Sequence, residues 1–103
     1  MLIKQEGTMF YCGEYNNPSA KITFYYHDNS IVVDHTYVST ELRGKKIGQK
    51  LLEQIVLLAK KEQKLIYPKC SFAKKELERN YENINLIYKG TINKTEDELN
   101  ENS

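Results

Sequence analysis

Apolar and polar residues alternate over the first forty positions, and then the period changes. Residues 9–15 read Met-Phe-Tyr-Cys-Gly-Glu-Tyr. Residues 20–27 alternate Ile22, Phe24 and Tyr26 with Lys21, Thr23 and Tyr25, and residues 31–38 add Val32, Val33, Thr36, Tyr37 and Val38. β-Branched and aromatic residues in such runs predict strands. Turn formers separate the runs: Asn16-Asn17-Pro18-Ser19, then Asp28-Asn29-Ser30. Spacings this short predict antiparallel hairpins. Residues 1–8 read as a lead-in strand or a loose end.

Further on, Leu51, Leu52, Ile55, Val56, Leu58 and Ala59 fall at helical spacing, and neither Pro nor Gly interrupts residues 49–64. The spacing predicts a long helix there. Leu65-Ile66-Tyr67 is a short strand candidate ended by Pro68. Ser71 can cap a second helix that runs through Glu78 or beyond. Residues 83–89, with Ile84, Leu86, Ile87 and Tyr88, are apolar enough to dock on the body. Beyond Gly90 the chain is polar and acidic, which predicts a disordered tail over residues 91–103. Residues 1–90 then form one α+β (mixed α/β) domain: antiparallel strands, a loop into a long helix, a strand and a second helix, with the helices packed on a mixed sheet.

The length, 103 residues, admits one small domain. The longest apolar run, residues 55–59, is far short of the roughly 20 residues of a membrane span, and the start lacks a secretory apolar core. The expectation is a soluble cytoplasmic protein without a membrane partner. Cys12 and Cys70 share no metal-type spacing with each other or with His27 and His35, so no metal is expected.

A formal net charge of +1 hides an asymmetry. The tail sets Lys94 against Glu96, Asp97, Glu98 and Glu101, which leaves the first ninety residues at +4. Arg43, Lys45, Lys46 and Lys50 lie close together. A local cluster in a nearly neutral chain points to a discrete anionic ligand. A nucleic-acid partner through the lysines of residues 45–64 is not expected, because the pI of 7.7 is below the basic footprint of such proteins.

The cluster sits where a strand runs through a glycine-containing loop into a helix. The first turn of a helix has unpaired N–H groups and the positive end of the macrodipole, and both suit phosphate oxygens. Gly44 and Gly48 permit close approach of a ligand to the backbone. The same composition also fits a loop that is simply solvated. The loop is neither a P-loop nor a dinucleotide fingerprint, because the glycine spacings differ.

Arg43-Gly44-Lys45-Lys46-Ile47-Gly48 resembles the Q/R-x-x-G-x-G/A pyrophosphate motif of the GNAT superfamily of N-acetyltransferases, with Lys46 in place of the central glycine. Lys69-Cys70-Ser71-Phe72-Ala73-Lys74 resembles the Cys-x-Phe segment of a small single-domain GNAT-like subfamily. The likeness spans about residues 8–88 and implies a fold in which the strand after the long helix splays away to open a cleft. It implies acetyl-CoA as cofactor. The backbone of Arg43, Gly44, Lys45, Lys46, Ile47, Gly48 and Gln49 would wrap the pyrophosphate, and the edge at Tyr37 and Val38 would pair with the pantetheine arm. Cys70 would face the acetyl group, lining its pocket or accepting it as a thioester, and Lys74 would stand at the cofactor rim. His35 is a candidate general base, with Glu41 and Asp34 behind it. Glu76 stands where relatives carry an aromatic acid, leaving Tyr67 and Tyr37 as substitutes. The implied activity is acetyl transfer to an amine of a small molecule or protein. The alternative is an acetyl-CoA-binding module with little or no turnover. A monomer or weak dimer is expected.

Overall fold

A computed structural model describes residues 2–79 together with Leu86 and Ile87. Among these residues five strands form one sheet in chain order: β1 (Lys4–Glu6), β2 (Met9–Glu14), β3 (Asn17–His27), β4 (Ser30–Val38) and β5 (Leu65–Pro68). The first four pair antiparallel, and β5 joins β4 in parallel. A parallel neighbour needs a crossover, which α1 (Ile47–Glu62) supplies. A single 3-10 turn, Thr40–Leu42, precedes α1, and α2 (Ser71–Arg79) follows β5. The mixed α+β architecture agrees with the sequence pattern.

The β2–β3 hairpin is tighter than the turn formers imply. Glu14 pairs with Asn17, so the turn is Tyr15-Asn16, and Asn17, Pro18 and Ser19 belong to β3. Gly13, at φ +88°, absorbs the register shift beside it. The β3–β4 hairpin closes with His27 opposite Ser30, and Asp28 takes the left-handed conformation.

One face of the sheet packs both helices. Phe10 and Cys12 of β2, Ala20, Ile22 and Phe24 of β3, and Ile31 and Val33 of β4 share a core with α1. From α1 come Ile47, Leu51, Leu52, Ile55, Val56 and Ala59, a stripe repeating at three and four residues. Each large side chain in it contributes about 1.5–3 kcal/mol through burial. Ile55→Ala, at a fully buried position, is the change that would break this helix's seat, at about 2–5 kcal/mol. The helix stops at Gln63, in the left-handed conformation. The Lys64 N–H returns to the Ala59 carbonyl at 2.9 Å, and the Gln63 N–H to that of Lys60.

Ala73 and Leu77 bring α2 into the same core, and Leu86 and Ile87 pack against it, Ile87 bridging to Ile66. The rest of the expected docking segment, residues 83–85, 88 and 89, lies outside the described residues, as does the expected tail, residues 91–103. No helix among the described residues is long and apolar enough to cross a membrane.

Candidate functional site

One unpaired residue in β4 sets up the site. Thr23 pairs with His35 and Phe24 with Val33, so Asp34 bulges out of the ladder. Side chains alternate at period two, so a bulge reverses their phase. Before it, Ile31 and Val33 face the helices. After it, Thr36 and Val38 do, while His35 and Tyr37 are exposed on the opposite face.

The same point is where β5 ends. Its ladder with β4 finishes at Val33 opposite Pro68. The N–H groups of Lys69 and Cys70 both donate to the Val33 carbonyl at 3.1 Å, and the chain turns into α2. Among the described residues, positions 34–38 of β4 have no strand on that side. The Ser39 N–H donates to Ser19 of β3 at 2.8 Å, so by alternation the backbone groups of Thr36 and Val38 face the open side. Tyr37 pairs with Lys21, and its backbone faces β3.

The free edge leads into the loop. Gly44 is at φ +85°, and nothing lies within 4 Å of where its side chain would be, so its backbone is open to a ligand. Lys46 adopts the left-handed conformation, φ 61° and ψ 27°, at the start of α1. It therefore keeps the backbone shape that a glycine would take there more easily. Its side chain does not cap the helix. The N–H groups of Ile47, Gly48 and Gln49 accordingly lack intrahelical carbonyls. The N–H groups of Arg43 and Lys45 differ: they donate within the loop, to Thr40 and Leu42, both at 3.3 Å. The amides left open to a ligand thus narrow to the helix start and Gly44.

Gly48 has another reason to be glycine. It is buried under Phe72, whose ring packs α2 against the first turn of α1. Its missing side chain makes room for the protein rather than for a ligand.

These elements enclose an open cleft of about 280 Å³, lined by Thr36, Val38, Leu42 and Phe72 beside the loop and helix start. Of the residues expected from sequence, Val38, Arg43, Gly44, Lys46, Ile47, Gly48 and Gln49 line it. Lys45 is exposed in the loop, and Lys74 is exposed on α2. Tyr37 and His35 lie across the sheet from the cleft. Glu41 is exposed, and Glu76 pairs with Arg79 at 3.2 Å. Cys70, half-buried at the start of α2, is not among the lining residues; it packs against the core and donates to the Thr36 hydroxyl, which does line the cleft, with Sγ···Oγ1 at 3.5 Å. Thr36, Leu42 and Phe72 were not expected as lining residues. The Cys-x-Phe segment carried a signal for Phe72, but only the bulge brings Thr36 inward.

The Arg43 Nε donates to the Val38 carbonyl at 3.4 Å, tying the loop to the strand edge. Among the described residues the ion pairs are His27–Asp28 and Glu76–Arg79, so none neutralises Arg43, Lys45, Lys46 or Lys50. No cluster of metal-type side chains occurs there either. The arrangement suits a phosphate-bearing group at the helix start, joined to an extended arm along β4.

Residues 9–86 match the family described as GCN5-related N-acetyl-transferase. A solution structure from Staphylococcus aureus, described as a "GCN5-like putative N-acetyltransferase", is similar at 39% identity and a TM-score of 0.74. The match covers 87% of this chain and 90% of that one. The ribosomal-protein-alanine N-acetyltransferase of Brucella melitensis shares the fold at a TM-score of 0.56 and 17% identity, over 82% of this chain and 65% of that one. No curated protein matches this chain.

Proposed function

Because the chain belongs to the GCN5-related N-acetyltransferase family, we propose that it binds acetyl-CoA in the cleft between β4 and α2 and passes the acetyl group to an amine. One observation carries the reading: the unpaired edge of β4 runs directly into the uncapped, cation-flanked start of α1. A pyrophosphate with a pantetheine arm has that order of groups, an anion at one end and an amide-bearing chain beyond it. Arg43, Lys46 and the amides of residues 47–49 hold the pyrophosphate, with Lys45 and Lys74 adding charge at the rim. Thr36 and Val38 offer backbone groups to the arm's amides, as an added strand would. Acetyl-CoA supplies an activated acetyl thioester. The Val38 N–H faces the open side and stabilises negative charge developing on the acetyl oxygen. The acceptor is a small molecule or a protein surface that meets the cleft from outside. The protein works in the cytoplasm as a monomer or weak dimer.

A second reading uses Cys70 as acyl acceptor. It is favoured by the place of the thiol, half-buried beside Thr36 at the open end of the splayed strands. His35, on the other sheet face, serves neither reading as a base for a group inside the cleft.

Thermal shift separates the classes. Acetyl-CoA and CoA should raise the melting temperature with concentration, while an oligonucleotide should not. Absence of stabilisation by either CoA species overturns the binding assignment. CoA release with a panel of amines and peptides tests turnover, and stabilisation without release identifies a binding module.

A further inference from the structure

Cys70 is held from two directions. Its N–H and that of Lys69 converge on the Val33 carbonyl, which fixes the backbone where β4 and β5 part. Its sulfur then meets the Thr36 hydroxyl at 3.5 Å. Thr36 lies on this side of the sheet because Asp34 is unpaired, and it lines the cleft. A β-branched side chain on a strand has few rotamers, so the hydroxyl is pre-aimed. A hydroxyl is also suited to both forms of the sulfur: it accepts from S–H and, turned about its C–O bond, donates to S⁻. A valine of the same shape does neither.

We propose that Thr36 is the positioning residue for Cys70, holding Sγ against the cleft wall that Thr36 forms, so that the thiol, and not only an outside amine, takes an acyl group from a bound thioester. Its functional part rests on the reading that the cleft takes acetyl-CoA. In that step Sγ bonds to the acyl carbon, the bond from that carbon to the donor sulfur breaks, and the Cys70 proton ends on the departing donor thiol. One thioester replaces another, so no oxidant or reductant is needed. Thr36 exchanges its accepted hydrogen bond for a donated one as the proton leaves.

The test labels Cys70 in the full chain with iodoacetamide, without CoA, and follows the Cys70 peptide by mass spectrometry. Thr36→Val should slow labelling about fivefold, the loss of one hydrogen bond of ordinary strength. Thr36→Ser, which keeps the hydroxyl, should stay within about twofold of wild type on the same scale. Thr36→Ala repeats the comparison if the valine variant does not fold. Equal labelling of wild type and the hydroxyl-free variants overturns the proposal. So does a serine variant as slow as the valine, because packing and not the hydroxyl would then govern the thiol. A second arm incubates the same proteins with acetyl-CoA and weighs them. An acetyl adduct on Cys70, slowed in Thr36→Val and retained in Thr36→Ser, supports the whole proposal. The expected labelling pattern with no adduct on wild type supports the positioning and overturns the acyl step. Binding of acetyl-CoA, measured separately by thermal shift, tells failure of that step from failure of the cofactor reading.

Discussion

The ring of Phe72 occupies the space that a side chain at Gly48 would need: a β-carbon there would lie 2.9 Å from Cζ. The contact joins the first turns of two helices and forms one wall of the cleft. Alanine is the better helix former by about 1 kcal/mol, so propensity alone favours Gly48→Ala. The clash opposes it, because the ring must leave its seat. The expected net result is a destabilisation of about 1 kcal/mol. Combining Gly48→Ala with Phe72→Leu should be less than additive in urea denaturation. Full additivity would show that the ring does not depend on the glycine.

Lys46 sits in a backbone conformation that disfavours side chains. Lys46→Gly should raise stability by about 0.5–1 kcal/mol through relief of that strain. The same change removes a cation from the cleft and should weaken CoA binding severalfold. Stability and affinity moving in opposite directions is the expected signature, read by urea denaturation and calorimetry.

The loop cations lack carboxylate partners among the described residues, so ligand charge is their natural counterpart. CoA affinity should fall as salt rises, because the screening length shrinks from about 10 Å at 0.1 M to 3 Å at 1 M. Arg43→Ala with Lys46→Ala should lower affinity about tenfold or more and flatten the salt dependence. Unchanged affinity in titration calorimetry would remove the pyrophosphate assignment.

Cys12 is fully buried in the core. Burial pushes its thiol above the ordinary 9.0, against a smaller pull from the N-terminus and Lys4. Above pH 9 the unfolded chain therefore loses a proton that the folded chain keeps, and stability falls as pH rises. The contribution is whole below that point and lost through the raised value. Tyr26 acts in the same direction above pH 10, raised by burial, by its 2.9 Å hydrogen bond to Glu62 and by that carboxylate's charge. Urea midpoints should drop from pH 8 to 10.5, and Cys12→Ala should flatten the lower part of that drop. A pH-independent midpoint would contradict the assignment.

Much of the fold was legible because it rests on local periodicity. The stripe at Leu51, Leu52, Ile55, Val56 and Ala59 marks α1, although the helix begins at Ile47, two residues before the expected start. The alternation of Ile22 and Phe24 marks β3, while its first residues hid behind turn-forming Asn17, Pro18 and Ser19. The cationic, glycine-containing loop ahead of α1 was legible from charge and glycine. Which of its amides stay open was not, because the hydrogen bonds of Arg43 and Lys45 to Thr40 and Leu42 depend on the shape of the turn. Thr36 against Tyr37 was beyond pattern reading, since an unbroken alternation from Val33 puts Tyr37 and not Thr36 beside the helices.

The extra residue at Asp34 makes β4 two strands in opposite phase, joined without a break. What matters at this position is the pairing that resumes after it rather than the kind of residue. Any amino acid that tolerates the kink preserves the phase, and so would deletion of Asp34, because His35 would then follow Val33 in regular alternation and leave Thr36 and Val38 toward the helices. The core half and the cleft half of the strand are thereby uncoupled in sequence. Substitutions before the bulge act on folding, those after it act on the site, and a shortened joint would straighten the strand without exchanging its faces.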